Sequence, residues 1–123
     1  IDEHRDKKWT QLRINREGWI ATANSEHTTN AGNEGPISNI LDGNKNTMWH
    51  SKYEKGGNNW HDERPNPSDP FQFTINLGKV TTFRAFSIMP RTTGQPNGRF
   101  RHFEFYAAVT EEELNSKIQN KRI

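Results

Sequence analysis

PFQFTINLG, Pro70–Gly78, decides the fold class. Phe71, Phe73, Ile75 and Leu77 alternate with Gln72, Thr74 and Asn76, the period of a half-buried β-strand. RHFEFYAAV, Arg101–Val109, repeats the pattern with Phe103, Phe105, Ala107 and Val109 on one face. Between them, TTFRAFSIMP (Thr81–Pro90) reads as a further strand and RTTGQPNG (Arg91–Gly98) as a loop. Toward the N-terminus, GWIATANS (Gly18–Ser25) reads as the first strand and Glu26–Pro36 as loop, while Ser38–Leu41 reads as one helical turn stopped at Asp42-Gly43. Residues 54–70 show no periodicity and read as a long loop, a length that in a compact domain points to function. Thr110 followed three residues later by Glu113 is a capping box, so TEEELNSKIQNK is expected to be helical. Short strands without a βαβ rhythm predict an all-β sandwich or barrel.

Composition narrows the rest. The chain has 123 residues, enough for one domain with a modest core. Mean hydropathy is −1.11, and four Trp, seven Phe and two Tyr supply the large apolar areas that aliphatic residues do not. Lys and Arg (17) nearly balance Asp and Glu (15), which argues against nucleic acid or an anionic membrane as partner. No cysteine is present, so disulfides and thiolate metal sites are excluded. No apolar run reaches membrane-spanning length. Residues 1–17 are charged and read as a leader or short helix before a domain over 18–123, with an opening, IDEHRDKKW, as if cut from a longer chain.

Chemistry concentrates in ILDGNKNTMWHSKY, Ile40–Tyr53. Asp42, Asn44 and Thr47 place hard oxygen donors within six positions, which suits calcium; an Asp-Gly turn with Asn support explains the same residues without a metal. If Trp49 is core, His50 points outward, either as a surface histidine or as a polar contact in a rim site. Arg91 and Asn97 share one loop, where Arg91 reads equally as a surface ion-pair residue and Asn97-Gly98 as a hairpin turn. As ligand groups, the three suit a sugar: Arg donates in a fixed fork, while Asn and neutral His both donate and accept. A sugar's C–H face needs an aromatic ring, and Tyr53 and Trp60 lie nearby in the chain. Enzyme signatures are weak. There is no phosphate loop, nucleophile elbow or HExxH pattern, and Trp60–Arg64 clusters His61, Asp62 and Glu63 too tightly for one zinc. A carboxylate pair for glycoside hydrolysis remains open among fifteen acids. Gly98–Tyr106 mixes basic and aromatic residues, but lacks the glycines of RNA-binding strands.

The order GWIATANSE, ISNILDGNKNTMWHS, PFQFTINLGK and FSIMPR…NGR…FEFYAA resembles the discoidin-like domain of coagulation factor V and VIII C-domains, closest to bacterial family 32 carbohydrate-binding modules. The resemblance spans Gly18 to Val109. It implies a jelly-roll β-sandwich with a structural calcium at Asp42, Asn44 and Thr47, assisted by backbone carbonyls. It further implies a non-catalytic module that binds galactose-like or N-acetylgalactosamine-like glycans. By motif position, His50, Arg91 and Asn97 would be the polar ligands, gathered at one rim, Tyr53 the aromatic and Glu34 an acidic contact; Trp60 has no family counterpart and would extend the site. The parent would be a larger secreted, periplasmic or cell-surface protein; the missing cysteines and absence of an Asn-x-Ser/Thr acceptor fit a bacterial export. Family members end with further strands after the FEFYAA segment, whereas Glu111–Lys121 reads as helix. The domain is therefore expected to be truncated at its C-terminus relative to the family. An adhesion module for proteins or phospholipids, or a spacer without ligand, are the alternative functions.

Overall fold

The computed structural model describes residues 13–28, 32–56, 59–63, 66, 68–92 and 98–122, with backbone only at 55–56, 59–62 and 122. The expected leader, 1–17, lies mostly outside them. The chain forms two units, Ile1–Gly78 and Lys79–Ile123.

Among its described residues the first unit carries six strands: β1 (Ile20–Ala23), β2 (Glu34–Gly35), β3 (Met48–Trp49), β4 (Tyr53–Gly56), β5 (Asn59–Asp62) and β6 (Phe73–Asn76). They pair as three two-stranded sheets, β1 with β6 and β4 with β5 antiparallel, β2 with β3 parallel. The β6 strand read from PFQFTINLG is present, and its register sets Ala21 opposite Ile75 and Ala23 opposite Phe73. Opposed residues share a face, so the small alanines of β1 leave room over the large side chains of β6. Ile20 is exposed on the other face. Trp49 meets that apolar face edge-on, its ring 5.7 Å from Phe73.

A carboxamide extends the β1–β6 ladder. Asn24 Nδ2 donates to Pro70 O (2.9 Å), its Oδ1 accepts from Gln72 N (2.9 Å), and its backbone N–H donates to Gln72 O (3.0 Å). Asparagine both donates and accepts, so one side chain closes both sides of the joint. Residues 36–47 form the crossover that a parallel pair requires. Within them Ile37–Ile40 is a 3₁₀ turn, one residue earlier than the sequence suggests, and Glu26 Oε2 accepts from its Ile37 N–H (2.8 Å). Ile37 is the buried apolar side chain among the described residues, at 5 % exposure.

Two stretches read as loop contain strands. Glu34–Gly35 pairs with Met48–Trp49, and residues 54–70 include the β4–β5 hairpin. Two-residue strands such as β2 have no periodicity to read. The hairpin did leave a signal: Gly57-Asn58 separates its strands in sequence, a pair favoured in two-residue turns. Its polar residues, Lys-Gly-Gly-Asn-Asn, hide it from a hydrophobic period.

Ser25 ties the hairpin to the sheet. It is 6 % exposed. Its hydroxyl donates to Glu63 O and accepts from Lys52 N (2.9 Å), and its carbonyl accepts from Trp49 Nε1 (3.0 Å). Glu63 N also donates to Lys52 O (2.7 Å). Outside, Lys52 Nζ bridges Glu63 (2.6 Å) and Glu54 (3.3 Å); these exposed pairs add little.

The second unit differs from expectation. Among its described residues, 81–90 and 101–109 hold no strand. Their rings nevertheless meet: Phe86 stacks on Phe105 at 4.4 Å, Phe83 meets Phe105 and Phe86 meets Phe103 edge-on, each at 6.3 Å. The alternation read in 101–109 named Phe103 and Phe105, which both enter this cluster; it did not single out Phe83 or Phe86. It did not establish a backbone ladder, because a lone pair of strands is marginal in water and needs a third strand or a helix against its apolar face. Phe103 remains 63 % exposed.

The expected helix is present as α1, Glu111–Arg122. Thr110 Oγ1 accepts from Glu113 N (3.2 Å), and Glu113 Oε2 accepts from Val109 N (3.1 Å), one residue earlier than a standard capping box. Lys117 Nζ reaches Glu113 (2.9 Å) and Ala107 O (2.9 Å), pinning the helix to the preceding segment. No helix among the described residues is long and apolar enough to cross a membrane.

Two outcomes follow. Ser25→Ala leaves Lys52 N–H without its acceptor beside a buried position and destabilises the fold by about 1–3 kcal/mol, read by denaturant unfolding. The hydrogen bond from Lys117, then that from Val109 N–H, hold the Glu113 carboxyl below its ordinary value. A depressed carboxyl stabilises above its unfolded value, so order in α1 falls as acid protonates Glu113. Cα secondary shifts of 111–122 followed by NMR lose that acid-induced change in Glu113→Gln.

Candidate ligand site around Tyr53

The start of β4 gathers four side chains from four places in the first unit. Tyr53 opens the strand. Its hydroxyl donates to Glu34 Oε1 (3.0 Å) on β2. His27, from the segment after β1, lies against its ring at 4.1 Å with planes 17° apart. His50, just after β3, meets it edge-on at 4.7 Å. Three backbone bonds hold this arrangement: His27 N to His50 O (2.9 Å), His50 N to Gly35 O (3.1 Å) and Met48 N to Asn33 O (2.9 Å). The β2–β3 pairing thus carries Glu34 and His50 together, and the hairpin brings Tyr53 between them.

His50 Nδ1 lies 2.8 Å from Ser51 O. A carbonyl only accepts, so Nδ1 carries the proton and, in the neutral ring, Nε2 carries the lone pair. With the Glu34 carboxylate, the cluster offers acceptors to a ligand rich in hydroxyl donors. Beside them stands the Tyr53 ring, an aromatic of the kind that packs on a carbon-rich ligand face, with His27 over one side of it.

Three of the sequence-derived residues can be placed less fully. Trp60 lies on β5 opposite Lys55, two positions from Asp62, the register partner of Tyr53. Arg91 is half-buried in the second unit, where its carbonyl accepts from Arg99 Nη2 (3.3 Å). Asn97 lies outside the described residues. His27 was missed: EHTTNAG shows only loop composition, and nothing in its spacing relates it to a tyrosine far along the chain.

Asp42, Asn44 and Thr47 come together in the crossover. Asp42 Oδ1 accepts from Asn44 N (2.7 Å) and Oδ2 from Thr47 Oγ1 (2.6 Å); Asn44 O accepts from Thr47 N (3.2 Å) and Oγ1 (2.9 Å). Gly43 sits at φ 73°, where a side chain is strained. The donors are a carboxylate, a carboxamide, a hydroxyl and a carbonyl, all oxygen, and fit a hard cation in kind. No three acidic or histidine side chains among the described residues converge as a metal site. An ion here would therefore draw mostly on neutral oxygens.

The histidine tautomer is directly measurable. Long-range ¹H–¹⁵N NMR at neutral pH will show His50 protonated at Nδ1, with an unprotonated Nε2; the reverse pattern would remove the acceptor from the site.

Comparison with known proteins places the molecule. The F5/8 type C domain family matches residues 20–120. A galactose oxidase of Gibberella zeae is 30 % identical over 93 residues, covering 76 % of this chain and 12 % of that protein. An A type blood N-acetyl-alpha-D-galactosamine deacetylase of Flavonifractor plautii is 33 % identical over 86 residues, covering 70 % of this chain and 10 % of that protein. The chain thus spans about a tenth of the length of these relatives. No solved structure matches it significantly. With most of its length inside the family's match, from β1 to near the end of α1, this chain belongs to the F5/8 type C, or discoidin, domain family, whose fold is a β-sandwich.

Proposed function

We propose that this domain is a non-catalytic carbohydrate-binding module for galactose-like or N-acetylgalactosamine-like glycans, carried by a larger secreted or cell-surface protein. The observation that carries the reading is the Tyr53 cluster, with its two acceptors, Glu34 and His50 Nε2, beside an aromatic ring. The names of the two relatives, an oxidase of galactose and a deacetylase of N-acetylgalactosamine, point to the same sugar class. Their much greater length supports a multidomain parent that this module would hold near its glycan.

In this reading His50 and Glu34 take hydrogen bonds from ring hydroxyls. Arg91 and Asn97 supply the further polar contacts, by their place in the family's motifs. Tyr53 or Trp60 lies along the sugar's C–H face. Asp42, Asn44, Thr47 and loop carbonyls hold a calcium ion, which when bound adds a charge that braces the crossover without touching sugar. The strands of the domain would be arranged as a jelly roll. A shallow site of this kind binds weakly and gains strength through multivalency.

A second reading, adhesion to protein or phospholipid, is favoured by one observation: Phe86, Met89 and Phe103 are exposed in the second unit. Calorimetric titration with galactose, N-acetylgalactosamine and glucose separates the two, alongside pelleting with phosphatidylserine vesicles. Heat from the first two sugars, lost in His50→Ala and in Arg91→Ala, is expected, as is a lower melting temperature in chelator. Silence toward all sugars, or unchanged affinity in both variants, would remove the glycan reading, and vesicle pelleting would then favour adhesion.

A further inference from the structure

We propose that His27 is a positioning residue of the Tyr53 site: its imidazole covers one face of the phenol and fixes the ring from which Tyr53 reaches Glu34 and meets His50. The proposal rests on the glycan-binding reading for its ligand, and on the geometry alone for the positioning.

Three observations carry it. First, the two rings lie nearly parallel at 4.1 Å, so His27 limits rotation of the phenol about its broad χ2 well. Second, the backbone bearing His27 is fixed. Its own N–H donates to His50 O (2.9 Å), Glu26 Oε2 accepts from Ile37 N (2.8 Å), and Ser25 holds Lys52 and Glu63. Third, the bond from His27 runs to His50 itself, so one residue sets the spacing of both rings that flank the phenol.

The consequence is that the phenol face against His27 is closed to a sugar, while Glu34 stands at its hydroxyl end and His50 at its edge. The ring orientation is set before ligand arrives, which removes an ordering cost from binding. A purely structural stack would affect stability alone; a positioning stack affects affinity in a protein that remains folded.

The test uses His27→Ala and His27→Phe, with galactose and N-acetylgalactosamine titrations. NMR reads the Tyr53-to-Glu34 nuclear Overhauser effects and the His50 Nδ1 proton. His27→Ala is expected to weaken both sugars about three- to ten-fold, as loosening one side chain predicts, and to diminish both NMR signals. His27→Phe, which keeps a flat ring, is expected to restore affinity and signals. A folded His27→Ala that binds as the parent does overturns the proposal. So does a His27→Phe as weak as His27→Ala, because the imidazole would then be touching sugar itself. Should His27→Ala not fold, His27→Leu keeps bulk without a flat ring and is read by the same criteria. If the unaltered protein binds neither sugar, the glycan reading falls, and His27 is judged on the NMR signals alone: unchanged signals in the variant overturn the positioning role, and diminished ones support it.

Discussion

A single buried hydroxyl holds the first unit together. Ser25 lies just past the end of β1, and it bonds to the Trp49 indole and to both feet of the β4–β5 hairpin. Its Oγ gives a proton to one hairpin strand's exit and takes one from the other's entry. The hairpin base is thereby fixed at both feet. A larger residue would clash there, and an apolar one of equal size would strand Lys52 N–H. A polar core of this kind suits a chain whose aliphatic content is low, because directional bonds supply the order that bulk packing otherwise gives.

From that joint the candidate site follows in order. Fixing Lys52 fixes Tyr53, its neighbour and the first residue of β4. The parallel β2–β3 pair fixes Glu34 and His50 on either side. The segment leaving Ser25 delivers His27. Each side chain at the site stands on, or one residue from, a backbone bond that crosses between elements. Calcium in the crossover would act at a distance, through the loop that joins β2 to β3.

Legibility from sequence followed the length of the signal. The strand at Phe73–Asn76 and the helix at Glu111–Arg122 announced themselves, one by clean alternation and the other by Thr110 and Glu113. Family membership was carried by short motifs whose order is specific. The hairpin escaped because polar residues dominate it, and β2 because two residues make no period. At the site, Glu34 was read only through the motifs, whereas His50 was read first from its place after Trp49; Tyr53 bonds to the one and meets the other edge-on. His27 left no trace, since a stack depends on tertiary approach. In the second unit, alternation picked out Phe103 and Phe105 but not their partners Phe83 and Phe86, and it overstated the ladder, since side-chain association and main-chain pairing are separate achievements.

The β2–β3 pair spans only two residues on each strand, and its alignment is secured by a side-chain bond together with the backbone bond that continues the ladder. Asn39 Nδ2 donates to Met48 O (3.0 Å) and His50 N to Gly35 O (3.1 Å). Those clamps sit at the two ends of the crossover, leaving 41–47 between them. A change of length within 41–47 would therefore leave the histidine and the glutamate at unchanged separation, because the bonds that set that separation lie outside the interval.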